Sequence, residues 1–311
     1  MKKILITAVG GDIGYGLIKA IKASDHVLHI VGCDIRNYNV SYDMVDEFYI
    51  CPPYGDEEKW IDFILGLLKQ GVDYFWPVTE PEIKIVMENK ERFSGCKIVI
   101  NEDFVLDIAM NKEKTASFLS DNGILTPQTW EKGDEIRHSF PLIVKERFGC
   151  GSHGVYVVND ENELNVSLEY MEDPIVQEYV GDIDEEYTLT VFSDGQVTNY
   201  ILFKRELGFG GMSRYVELVH DEKVETLAGR IAKIFNLKGS LNIQMRKKNS
   251  DYCVFEINPR ISSTIGFRYR LGFNDASWWI DMIEGKSIPN FEQPHGRVYG
   301  VRSVEEKFFF E

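Results

Sequence analysis

Hydrophobic and polar residues alternate from Ser240 to Met245 and again from Cys253 to Asn258, the period-two pattern of strands that bury one face. The polar run Arg246 to Asp251 between them supplies a turn, so the two strands form a hairpin. Folding it about Asn249 and Ser250 sets Gln244 opposite Glu256. On this reading Cys253, Phe255 and Ile257 face the core, while Glu256 and Asn258 project together from the other side. Pro259 has no amide to donate, so it ends the strand and sets Arg260 just beyond that pair.

Elsewhere the pattern changes along the chain. Residues 3 to 9 form an apolar strand, Gly10-Gly11-Asp12-Ile13-Gly14-Tyr15-Gly16 opens a helix, and a strand from Val27 ends at Asp34. A helix follows from about Glu57 to Gln70, then a strand Tyr74 to Val78, a helix to Phe93 and a strand Lys97 to Ile100. Strands alternating with helices predict a small, mostly parallel sheet whose functional loops lie at the strand C-termini. Asn111 then caps a helix that stops at Gly123. Leu142 to Lys145 and Val155 to Val158 are strands joined by a glycine-rich loop, Gly149 to Gly154. Further strands are expected over 175–180, 184–192, 197–203 and 297–301, with 207–214 as loop. A helix from Lys223 to Phe235 carries Val224, Leu227, Ala228, Ile231 and Ala232 at core spacing. Trp278 and Trp279 belong to the core or an interface.

Composition narrows the classes. A chain of 311 residues with 44% hydrophobic content buries a full core and divides into about two domains. A net charge of -16 without a basic block excludes nucleic acid and anionic membrane surfaces, and obliges any phosphate site to bring its own positive charge. Five scattered cysteines, no C-x-x-C, and an N-terminal apolar run broken at Gly10 read as a reduced, cytoplasmic chain with no membrane span.

The candidate chemistry centres on the hairpin. Adjacent oxygen donors suit a hard cation, and magnesium, which takes few protein oxygens, points to a nucleotide triphosphate. The loop 149–154 can close its amides over phosphates; Val155-Tyr156 after Gly154 rules out a Walker A motif. Gln244 followed by Glu256-Ile257-Asn258-Pro259-Arg260 resembles the magnesium and phosphate site of the ATP-grasp superfamily, nearest to the carbamoyl-phosphate synthetase large-subunit type. The resemblance implies an α/β chain: a Rossmann-like pre-ATP-grasp domain over 1–105, then an ATP-grasp domain over 106–311. Two α+β lobes, about 123–181 and 182–311, clasp ATP between them.

It further implies that Lys112, Lys145, Gly149, Gly151, Ser152 and Gly154 hold phosphates, and that Glu178, Tyr179 and Val180 border the adenine. Glu186 accepts from the ribose. Gln244, Glu256 and Asn258 hold Mg²⁺, with Mn²⁺ as a substitute, and Arg260 is catalytic. Glu80, Arg205, Arg214, Ser262 and Arg268 are substrate candidates. Asn111 stands where the family usually has Asp. The activity implied is an ATP-dependent carboxylate-amine or carboxylate-thiol ligase working through an acyl phosphate on an amino acid or small carboxylate. The alternatives are a nucleotide-binding regulatory protein without turnover, and an NAD-dependent oxidoreductase resting only on the glycine turn and Asp34. The apolar tail Phe308 to Phe310 asks for a missing partner or a third segment of the family pattern to cover it, and the expected assembly is a homodimer or a complex with a partner subunit.

Overall fold

The computed structural model describes residues 1–149, 154–182, 185–303 and 307. β1 (Lys2–Ile6), α1 (Asp12–Lys22), β2 (Leu28–Asp34), β3 (Glu47–Ile50), α2 (Glu57–Leu68), β4 (Tyr74–Trp76), α3 (Glu80–Glu88) and β5 (Lys97–Ile98) come first. Their strands form a parallel sheet in the order β3-β2-β1-β4-β5. Alternation along β1 sends Ile4 and Ile6 to the core shared with α1, and Leu5 to the core shared with α2. The glycine turn is a packing device: a Cβ on Gly14 would lie 2.4 Å from the Ala8 carbonyl oxygen. Asp34 closes this turn by accepting from the Gly10 amide at 2.8 Å. That occupies the carboxylate on which the oxidoreductase alternative depends.

Thr79 starts α3 in a capping box with Glu82, which fixes Glu80 in the first turn. α4 (Asp103–Ala109), unforeseen in the sequence, and α5 (Lys112–Asp121) follow. Val105 and Ala109 pack into the core of the later elements, so the division expected at 105/106 falls inside α4.

β6 (Thr129–Glu131), β7 (Leu142–Glu146), β8 (Val155–Val158), α6 (Glu161–Tyr170) and β9 (Pro174–Glu178) make an antiparallel sheet, order β6-β9-β7-β8. Leu142 and Val144 turn inward with Leu164 of α6, which leaves Ile143 and Lys145 on the opposite face.

The third sheet comes from β10 (Glu186–Ser193), β11 (Thr198–Leu207), β12 (Ser213–Leu218), α7 (Glu222–Ile234), β13 (Gly239–Lys248), β14 (Asp251–Asn258), α8 (Ile265–Arg268), α9 (Asp275–Ile283) and β15 (Tyr299–Val301). Its order is β14-β13-β10-β11-β12-β15. One face packs on α7 through Leu189, Val191 and Leu241. The other joins the first sheet: Phe192 meets Trp278 at 5.7 Å, and Trp76 meets Trp279 at 5.6 Å, edge to face. Both tryptophans are therefore core. Gly16 of α1 allows a second close approach, since a Cβ there would sit 2.7 Å from Ile265 Cγ2. The first sheet thus backs directly onto the segment after Arg260. Among the described residues no helix is long and apolar enough to cross a membrane.

Candidate nucleotide and metal site

β13 and β14 pair with Gln244 opposite Glu256 and Asn242 opposite Asn258. Between Gln244 and Met245 the register slips, so Met245 faces Val254 and Phe255 is left as an extra residue. This bulge corrects the expected alternation. Val254 and Ile257 enter the core, while Phe255 turns to the other side beside Glu256. The turn is also narrower than expected: Arg246 to Lys248 extend β13, and Asn249 (φ 56°) with Ser250 makes the reversal.

A cavity of about 610 Å³ opens between the four-stranded and six-stranded sheets, within the range that holds a nucleotide-sized ligand. Ile143, Val155, Val157, Val180 and Leu207 supply apolar walls, and Lys112, Lys145, Arg205 and Arg246 supply positive charge. Gly149, Glu178, Tyr179, Glu186, Gln244 and Glu256 also line it. Gly154 (φ 68°) leads into β8. Gly151 and Ser152 lie outside the described residues.

Lys112 Nζ donates to the Gly149 carbonyl at 2.6 Å and its amide to the Arg147 carbonyl, tying the start of α5 to the glycine loop. Lys145 Nζ donates to the Phe255 carbonyl at 3.2 Å, so the bulge fixes its direction. Burial pushes the Lys145 ammonium down to about 8, against the pull of Glu256. The Glu178 carboxylate pairs with Lys248. Its amide donates to the Gln128 carbonyl, so a base edge could draw only on the Glu178 carbonyl.

Glu186 is gripped from two sides: Arg205 holds Oε1 through Nε and Nη2, and Arg246 reaches Oε2 at 3.2 Å. Arg205, expected beside the loop as a substrate contact, is a buried partner of Glu186 in the cavity wall. Arg246 was hidden in the sequence by its assignment to the turn. Its guanidinium lies 5.6 Å from the Phe255 ring centre and 5.9 Å from that of Tyr179.

From Glu256 a line of contacts leads away from the cavity. Asn258 Nδ2 donates to Glu256 Oε1 at 3.1 Å, Arg260 Nη2 donates to Asn258 Oδ1 at 3.0 Å, and the same Nη2 lies 3.1 Å from Glu80 Oε1. Asn101, which sequence reasoning missed, braces this end: its Nδ2 donates to the carbonyls of Ser240 and Pro259, both at 2.9 Å. Gly239 (φ 146°) gives it room, because a Cβ there would fall 2.3 Å from Asn101 Oδ1.

The remaining substrate candidates go elsewhere. Arg268 is fully buried, clamped by Asp275 on Nε and Nη2, with Nη1 on the hydroxyls of Ser262 and Thr264. Ser262 shares its hydroxyl with Thr264. Both residues brace the segment after Arg260, with no donor turned to a ligand. Arg214 is exposed beside Glu206 at 3.5 Å and does not line the cavity.

Gln244, Glu256 and Asn258 fit a magnesium ion by their chemistry: one carboxylate and two amide oxygens leave coordination sites for phosphate. Among the described residues no cluster of three His, Cys, Asp or Glu competes for a metal. Asn258 Oδ1 would have to release Arg260 to join the set.

Two sheets closing on a cavity lined by both apolar and cationic side chains suit a nucleotide. The family model for the ATP-grasp domain matches residues 109–264, and the chain belongs to that family. It is 23% identical over 322 residues to the C-terminal section of the carbamoyl phosphate synthase large chain of Aquifex aeolicus, covering 92% of this chain and 59% of that one. The chain thus spans less than two thirds of that relative. Two solved structures share the fold. The biotin carboxylase domain of 2-oxoglutarate carboxylase from Hydrogenobacter thermophilus, solved with MgADP and bicarbonate, has a TM-score of 0.77 and 17% identity, covering 97% of this chain and 74% of that one. The L-amino acid ligase of Bacillus licheniformis has 0.70 and 18%, covering 90% and 73%.

Proposed function

We propose that this chain is an ATP-dependent ligase that activates a small carboxylate, with amino acids the favoured class, as an acyl phosphate and passes it to an amine or thiol. The observation that carries this is the continuous line Glu256–Asn258–Arg260, which joins the cavity to a guanidinium outside it. The names of the relatives support it, since a carboxylase domain bound to MgADP and an amino-acid ligase share the fold.

A carboxylate oxygen attacks the γ-phosphorus of ATP, the bond to ADP breaks, and the nucleophile then displaces phosphate from the acyl carbon. The protein's share is positioning and charge neutralisation. The apolar walls receive the adenine, the Glu178 carbonyl and Val180 backbone border its edge, and Glu186 faces the ribose. Lys112, Lys145 and the loop 149–154 receive the phosphates. Glu256, Asn258 and Gln244 would hold Mg²⁺ or Mn²⁺, which when bound offsets charge on the β and γ phosphates. Arg260 faces the transferring phosphoryl group and the acyl phosphate. We further propose that the nucleotide-binding unit begins ahead of α4. Small carboxylates and amines are the partners this chemistry needs.

The test is ADP release from MgATP against pooled amino acids, small carboxylates and bicarbonate. A pool that stimulates release in the native chain and not in Arg260→Ala supports the proposal. Equal release by both removes Arg260 from the chemistry, and silence in every pool removes turnover.

A further inference from the structure

Strand register sets one carboxylate between two guanidiniums in the cavity wall. Glu186 of β10 lies opposite Arg205 of β11 on one side and Arg246 of β13 on the other. Arg205, 7% exposed, spends Nε and Nη2 on Glu186 Oε1 and cancels its charge. Arg246 reaches Oε2 with Nη2 alone; its Nε is buried without a hydrogen-bond partner, and among the described residues Nη1 has none either. The trio therefore carries one positive charge in excess. Among the described residues the cavity's other carboxylates are engaged elsewhere: Glu178 pairs with Lys248, Glu206 lies 3.5 Å from Arg214, Glu146 accepts the amides of Glu172 and Asp173, and Glu256 accepts from Asn258. The face of Phe255 offsets part of the excess, but it carries a second cation as well: Arg246 Cζ and Lys145 Nζ lie 5.6 and 5.8 Å from its ring centre. Like charges gathered in a partly closed cavity repel, and an anionic ligand relieves them.

We infer that Arg246 binds the α-phosphate of the nucleotide, the one nearest the ribose. This rests on the nucleotide reading of the cavity and adds to it a residue that reading leaves without a ligand. Gln244 and Arg246 alternate onto one face of β13, about 7 Å apart, and both line the cavity. With the terminal phosphates toward Gln244 and Glu256 and the ribose toward Glu186, the phosphate chain runs along this face and brings its α-phosphate to Arg246. The unspent N–H groups of the guanidinium donate to the phosphate oxygens in charge-assisted bonds. Glu186 holds the guanidinium in place through Nη2, so it braces a phosphate-binding arginine besides facing the ribose.

Removing phosphates one at a time isolates this contact. The native chain, Arg246→Ala and Arg246→Lys are titrated by calorimetry with ADP, AMP and adenosine. A charge-assisted bond contributes a gain in affinity of about tenfold or more, and the native chain should bind AMP more tightly than adenosine by that factor. In Arg246→Ala that gap should close to within about twofold, and the affinity for adenosine should stay within about twofold of native, the scatter of independent contacts. Arg246→Lys keeps the charge and should restore part of the gap. An adenosine loss as large as the AMP loss would make Arg246 a support of the wall alone. A gap that survives in Arg246→Ala, or that the native chain lacks, would place the α-phosphate elsewhere. Each of these overturns the inference, while ADP binding by the native chain upholds the nucleotide reading. A native chain that binds neither ADP nor AMP overturns that reading itself.

Discussion

Arg246 shows how a single side chain can be both invisible in sequence and central in space. A polar run between two strands reads as a turn, and only the narrow reversal at Asn249 and Ser250 frees Arg246 to stand beside Glu186 and Phe255. Removing it leaves Glu186 with Arg205 alone. Arg246→Ala should weaken ATP binding by about tenfold or more, as for loss of a charged hydrogen bond of about 1.5–3 kcal/mol, measured by calorimetry. Lys145 gives a second test at this scale. Its ammonium is lowered to about 8 by burial, so above that pH the empty site holds it mostly neutral. Bound polyphosphate favours the charged form, so ATP binding one pH unit higher should take up protons, and Lys145→Met should abolish the uptake. Titration in buffers of different ionisation enthalpy reads this directly. The same shift has a stability sign. Between about 8 and the ordinary lysine value the folded chain binds fewer protons than the unfolded chain, so this group makes stability rise with pH there.

At the level of elements, the hairpin was legible because alternation, Pro259 and the facing strand all agreed, and Gln244 does pair with Glu256. The bulge at Phe255 was not legible. A one-residue insertion leaves the sequence pattern almost intact while reversing which residues face the core, and nothing local marks it. The burial of Arg268 was not legible for a related reason: its partner Asp275 lies on α9, and its burial depends on the packing of α1 and α9 behind it. Asn101 had no signal at all, being a lone polar residue after a short strand. Its two bonds to the ends of β13 and β14 make it a positioning residue. Asn101→Ala should lower stability by about 2–3 kcal/mol through two stranded carbonyls. It should also lower kcat at saturating ATP more than it raises KM for ATP, because Pro259 and Arg260 lose their brace while the cavity keeps its walls.

Across the whole molecule, the first, parallel sheet was legible in the alternation of strands and helices, and the two lobes that follow it came from the family resemblance. The joints were not predictable. Trp76 with Trp279, and Gly16 with Ile265, set the N-terminal elements against the segment after Arg260, which is how Glu80 arrives beside Arg260. Gly16→Val should therefore disturb more than α1: its Cβ would stand 2.7 Å from Ile265 Cγ2, well inside van der Waals contact, and a cost of about 1–3 kcal/mol should appear in the melting temperature together with a loss of turnover. If a carboxylate receives the γ-phosphoryl group, its oxygen leaves with the phosphate whichever substrate supplies it. Turnover of MgATP with an amino-acid pool whose carboxylates carry a heavy oxygen isotope should deliver one labelled oxygen into each inorganic phosphate released. Phosphate that carries no label, formed at the same rate, would contradict the account and leave only hydrolysis by water.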